Sequence, residues 1–147
     1  MLIKSNFKQM ANYADLNTTD SRYIDTEIDS IVIRRKIATK TGGATLTVNP
    51  SSYPDKVIPA GHLVIYNSST GVYAPMPLTT SGGALVLDSL PSNYAYYGIV
   101  ISSTPAAQPF CGVLINGVVN YKAMKYDITS ILSAVKSALP HIQFITD

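Results

Sequence analysis

Tryptophan is absent, cysteine occurs once and histidine twice. The single Cys111 excludes an intrachain disulfide and a thiolate metal cage built by one chain. Charge is scarce: 14% of residues are Asp, Glu, Lys or Arg, against about 25% in an ordinary domain. A net charge of +2 is too small to mark nucleic acid or an anionic membrane as the main partner. Apolar runs are short, with 84–87 and 99–101 among the longest, so no helix is expected to span a bilayer. The opening Met1-Leu2-Ile3-Lys4-Ser5-Asn6 leads into polar sequence, so no signal peptide is read there and synthesis in a cytoplasm is expected. No G-x-S-x-G elbow, phosphate-binding loop, H-E-x-x-H pair or G-x-G-x-x-G fingerprint occurs. No enzyme, metal site or cofactor is therefore expected.

The charge that is present is unevenly placed. Over residues 57–121, Asp88 is the sole formally charged residue. A soluble monomer ordinarily spreads charge over its whole surface. A neutral, tyrosine-containing stretch of that length fits a surface that meets protein. It also fits a polar surface of Ser, Thr and Asn, and composition weighs the two evenly.

Residues 1–26 show no clean hydrophobic period and read as an extended polar arm carrying Tyr13 and Tyr23. Residues 28–39 predict a strand, with Ile31, Ile33 and Ile37 on one face and Arg34, Lys36 and Ala38 on the other. Gly42-Gly43 signals a turn, and Ala44, Leu46 and Val48 then alternate with Thr45 and Thr47, which predicts a hairpin. After a loop at 49–54, Pro59-Ala60-Gly61 turns into a strand at 63–66, and Asn67 to Gly71 leads to a return strand at 72–74. Residues 84–87 read as a buried strand and 97–101 as another. Asn116-Gly117, between 110–115 and 118–121, predicts a type I′ hairpin, which needs positive φ at both central residues. One helix follows. Asp127 caps it, Ile128, Ile131, Leu132, Val135, Ala138 and Leu139 form its apolar stripe, and Pro140 ends it. Residues 142–144 close the chain as a short strand. The expected fold is β-rich α+β: a small antiparallel sandwich or barrel with one C-terminal helix, preceded by an arm or extra hairpin.

His62 follows a turn and His141 follows Pro140, so both read as surface or loop residues; catalysis would need Asp88 or Asp127 brought to one of them. Cys111 sits in an apolar strand pattern without basic neighbours and reads as a buried structural thiol. Arg34, Arg35 and Lys36 alternate faces on a strand and are offset by Asp25, Glu27 and Asp29. They read as a solvated or protein-contacting strand and not as a nucleic-acid patch. Tyr94, Tyr96 and Tyr97 read first as an oligomer interface, then as core packing, and last as a glycan platform.

The second part of the chain also resembles a known family. Val57-Ile58-Pro59-Ala60-Gly61-His62-Leu63-Val64 looks like an opening turn and strand, and Gly71-Val72-Tyr73-Ala74-Pro75 like a hairpin return. Tyr97-Gly98-Ile99-Val100 looks like the next strand, and the run Gly112-Val113-Leu114-Ile115-Asn116-Gly117-Val118-Val119-Asn120 like a V-L-V-x-G-x-V-N segment. The final helix, Pro140 and Ile142-Gln143-Phe144 complete the order. Together these resemble the head decoration proteins of tailed phages, the lambdoid D-like family, and related phage head-fibre proteins; the first 56 residues do not match.

The resemblance implies a non-enzymatic virion protein: a homotrimer on the outer capsid surface that binds the major capsid protein and locks neighbouring subunits after the shell expands. On this reading residues 1–56 are an arm and hairpin that attach to the capsid through Tyr13, Tyr23, Ile31, Arg34, Arg35 and Lys36. Residues 57–147 are the decoration-like domain, with Tyr94, Tyr96 and Tyr97 at the oligomer interface. Neither nucleic acid nor a membrane is an expected partner. The alternative is a fibre or adhesin module that binds host surface glycan, and a further fibre protein is a partner the sequence also accommodates.

Overall fold

The computed structural model describes residues 29–146; the expected arm, with Tyr13 and Tyr23, lies outside them. The fold is the β-rich α+β class that the sequence predicts. Its main strands are β1 (Ile33–Thr39), β2 (Leu63–Asn67), β3 (Val72–Pro75), β4 (Leu78–Ser81), β5 (Ala84–Leu87), β6 (Ala95–Val100), β7 (Val113–Asn120) and β8 (Ile142–Ile145), with one helix, α1 (Leu132–Ala138).

A six-stranded sheet runs β8-β7-β6-β2-β3, with β1 added on β7. Leu114 is opposite both Thr39 and Ile99, so β1 and β6 flank β7 on opposite sides. β8 runs parallel to β7 over residues 117–120, along the edge that β6 leaves; the other strand pairs are antiparallel. The sheet is covered on both faces. Leu63, Ile65, Ile99 and Leu114 point into a core closed by Val135, Leu139 and Phe144. Val64, Val100 and Val113 point into a second core with Leu46, Tyr53, Ile58 and Cys111. This is why Leu63, Val64 and Ile65 are all buried: side chains alternate along the strand as expected, but neither face is wet.

The helix closes the first core with a narrower stripe than the sequence predicts. Asp127 caps the region, its Oδ1 accepting from Thr129 N at 2.9 Å and Thr129 Oγ1 at 2.6 Å, and a 3-10 turn, Thr129–Ile131, precedes α1. Ile128, Val135 and Leu139 are buried, Ile131 and Leu132 half-buried, and Ala138 exposed. A helix of two turns lays one row of side chains on the sheet, not a broad face.

Four local expectations are corrected. First, residues 28–39 are not one strand: Asp29–Val32 is a helical turn, held by the Asp29 carboxylate, which accepts from Ser103 N at 3.0 Å and Ser103 Oγ at 2.9 Å. The turn and the register shifts between β1 and β7 break the two-residue period. Val32 and Ile33 therefore go inward, while Ile31 and Ile37 stay exposed. Second, 44–48 forms no hairpin with β1. The turn at Gly42-Gly43 exists, with φ of 78° and 67° and Gly43 N donating to Lys40 O at 3.1 Å. It is an excursion on one continuous path: β1 runs antiparallel beside β7, and Ala44–Thr45 then continues beside Phe110–Cys111.

Third, Asn116-Gly117 is not a turn but lies inside the uninterrupted strand β7. Fourth, β5 is a strand but an exposed one, paired with β4 in a hairpin of its own. Because β1, Ala44 and Leu46 pair with or pack on segments beyond residue 57, residues 29–56 share both cores with the rest of the described chain.

Candidate functional site

The expected contact strand carries its basic residues outward. Arg34, Arg35, Lys36 and Ile37 are exposed in succession, so both faces of β1 meet solvent there and Arg35 is not turned inward. With Ile31, they form a strip that mixes cationic heads with two exposed isoleucines.

The three tyrosines expected to act together are separated by the pleat. Tyr94 and Tyr96 pack on the helix-side core, and Tyr97 packs on the other face. There Tyr97 meets two tyrosines that the sequence reading did not single out. Its ring lies 5.0 Å from Tyr73 and 5.8 Å from Tyr66, which are themselves 4.5 Å apart. Lys40 Nζ sits 5.1 Å from the Tyr73 ring centre, in cation–π range. The signal for this cluster was present, since Tyr66 and Tyr73 stand symmetrically about the Asn67–Gly71 turn and are direct cross-strand partners.

His62 is the clearest departure from the sequence reading. It is 4% exposed, not a surface residue, because the turn before it is itself covered: a Cβ at Gly61 would meet Val32 Cγ1 at 2.4 Å and Met124 Cγ at 3.3 Å. His62 Nε2 donates to Met76 O at 2.7 Å, and the Tyr53 hydroxyl donates to the same carbonyl at 3.0 Å. The Tyr53 and Tyr126 rings meet the imidazole edge-on at 5.4 Å and 5.6 Å. Tyr126 Oη is buried without a partner among the described residues. A void of about 10 Å³ beside His62 is lined by Tyr126, Lys125 and apolar side chains, with no carboxylate among the described residues. Burial lowers the His62 pKa to about 4, opposed in part by the Met76 bond.

Acid should therefore act on the fold through this residue. Between pH 6.5 and 4 the unfolded chain binds a proton that the folded chain excludes, so stability is lost as pH falls through that window. The loss is about 2 kcal/mol at pH 5 and about 3 kcal/mol near pH 4. Asp127, held low mainly by Thr129, adds to the loss only below that range. Denaturant titrations of wild type and His62→Gln at pH 7 and pH 5 check this; equal slopes with pH in both proteins would show that the imidazole is not responsible.

The other chemistry-bearing residues stay apart. His141 is exposed, Asp88 Oδ1 accepts from Ser89 N at 2.8 Å, and Asp127 Oδ1 accepts from Thr129 N at 2.9 Å. Cys111 is buried as expected, and burial pushes its thiol up to about 11. Among the described residues, no three His, Cys, Asp or Glu side chains gather in a metal-binding group, and no helix is long and apolar enough to cross a membrane.

A groove of about 250 Å³ opens between the 47–53 loop and the segments at 75–78 and 91–94, with Tyr94, Pro75, Pro91, Asn49 and Ser52 on its walls. No family model, no curated protein and no solved structure matches this chain.

Proposed function

We propose that this protein is an auxiliary capsid protein: a structural, non-enzymatic component that binds the outer surface of a phage capsid as a homotrimer and stabilises it. The observation that carries the reading is a long neutral stretch of sequence that leaves large apolar side chains exposed. Over residues 57–121 one residue is formally charged, yet Leu85, Val86 and Phe110 are exposed there, Phe110 by 62%. Leu85 and Val86 stand on the β4–β5 hairpin, which pairs with no other strand among the described residues. An isolated two-stranded ribbon is marginal in water, and an uncharged apolar edge invites strand pairing. Close packing in a symmetric oligomer on a protein lattice satisfies both.

β1 is the proposed capsid-contact element. Its cationic side chains supply register and specificity, and Ile37, with Ile31 of the preceding helical turn, supplies area. The tyrosines assigned to self-association are revised by this geometry: Tyr97 with Tyr66 and Tyr73 is the better candidate, since Tyr94 and Tyr96 lie on the other face. Light scattering at micromolar protein is expected to give close to three times the 15.8 kDa of one chain. A single-chain mass at that concentration would contradict the trimer.

A further inference from the structure

We infer that the groove beside Tyr94 is a binding site for a neutral saccharide. Its volume, about 250 Å³, is just below the roughly 300–1,000 Å³ of drug-sized sites, so it takes about one sugar ring. The two sides of the groove differ in chemistry. One is apolar and stiff. Pro75 and Pro91 fix the backbone, and the half-buried Tyr94 closes a tight turn in which Tyr94 N donates to Pro91 O at 3.2 Å and Asn93 has a φ of 70°.

The other side is polar and uncommitted. The Thr47 and Ser52 hydroxyls make no hydrogen bond among the described residues. Asn49 spends Oδ1 on Ser51 N at 3.2 Å and Ser51 Oγ at 2.9 Å, which leaves its NH₂ group without a partner among the described residues.

Charge narrows the ligand class. Among the described residues, no Asp, Glu, Lys, Arg or His lines the groove. A charged ligand would shed water there without meeting a counter-charge, and a purely apolar one would leave the polar side unpaired. A ring with C–H faces and an uncharged rim of hydroxyls matches both sides, and that is the chemistry of a neutral sugar. Walls already fixed by proline and a closed turn reduce the ordering cost of binding. The site is separate from the strand proposed for capsid contact, so the two readings stand or fall independently.

The test is titration of isotope-labelled full-length protein with glucose, galactose and N-acetylglucosamine, with N-acetylneuraminic acid as the charged control. At least one neutral sugar is expected to give saturable amide shifts confined to 47–53, 74–78 and 91–94, with Kd on the order of a millimolar, and the acid to bind at least about tenfold more weakly. Tyr94→Ala should abolish the shifts. Because Tyr94 also touches the core, Ser52→Phe provides a second arm. It fills the groove from an exposed rim position and should weaken binding by about tenfold or more with an unchanged melting temperature. Tyr94→Phe, which keeps the ring, should bind within about threefold of wild type. The inference is overturned if no neutral sugar moves those amides at about a hundred times the expected Kd, if Ser52→Phe binds as wild type does, or if only the acidic sugar or a proline-rich peptide binds.

Discussion

Gly117→Ala is expected to destabilise the protein by about 4 kcal/mol, a large part of the roughly 5–15 kcal/mol that holds a domain together. The reason is space, not φ. Gly117 lies within β7, between β1 on one side and β8 on the other. A Cβ there would sit 2.2 Å from Arg35 O and 3.1 Å from Leu114 Cδ1. Backbone cannot step aside as a flexible side chain can, so β1 must move off β7 by about an ångström. That movement stretches ladder bonds worth about 1 kcal/mol each and adds overpacking strain of about 1–3 kcal/mol. A glycine used only for a left-handed turn costs about 1–2 kcal/mol when replaced. Gly82→Ala, at φ 61° with nothing within 4 Å of the new Cβ, is the internal comparison. Denaturant unfolding of the two variants should differ by at least about 2 kcal/mol; equal losses would mean that Gly117 serves a turn after all.

The helix gives the second large effect. Val135 is fully buried among apolar side chains of the helix-side core. Val135→Asp is expected to cost about 4 kcal/mol, because an unpaired carboxylate must either leave water or take up a proton. Leu132 is half-buried, so Leu132→Asp should cost about half as much, and the exposed Ala134→Asp within about 0.5 kcal/mol of zero. The order of the three midpoints is the check. If Leu132→Asp proves the most damaging, the helix is rotated relative to the sheet.

Local signals in the sequence were read correctly where the elements depend on neighbours in the chain. The β2–β3 hairpin follows from apolar runs on either side of the Asn67–Gly71 turn, and Asn67 Oδ1 does accept from Ser69 N and Thr70 N. The stripe at Ile128, Val135 and Leu139, and the closing strand after Pro140, were legible for the same reason. What was not legible depends on distant partners. Asn116-Gly117 looks like a turn because the dipeptide favours positive φ, but here the glycine admits the backbone of a strand some eighty residues earlier. His62 looks exposed because it follows a turn, and nothing local reveals that Val32 and Met124 cover that turn. The apolar run of β5 looks buried because hydropathy does not record that it stands on a separate hairpin, of which Leu87 and Leu78 at the base touch the cores while Leu85 and Val86 stay exposed. For the candidate surfaces, the sequence placed the basic strip on β1 but grouped tyrosines that a strand must separate: Tyr96 and Tyr97 are neighbours on β6 and face opposite ways, which a strand read from residue 97 onward does not reveal.

Attachment to a capsid is the central claim, and sedimentation measures it directly. On the proposed reading, expanded tailed-phage capsids that lack such a protein are mixed with increasing full-length protein and pelleted. Saturable co-pelleting at a fixed ratio of copies to capsid subunits is expected, with binding weakened by Arg35→Glu and Lys36→Glu together, both at exposed positions, while the variant's melting temperature stays near that of wild type. Protein that remains in the supernatant at every concentration would contradict the account.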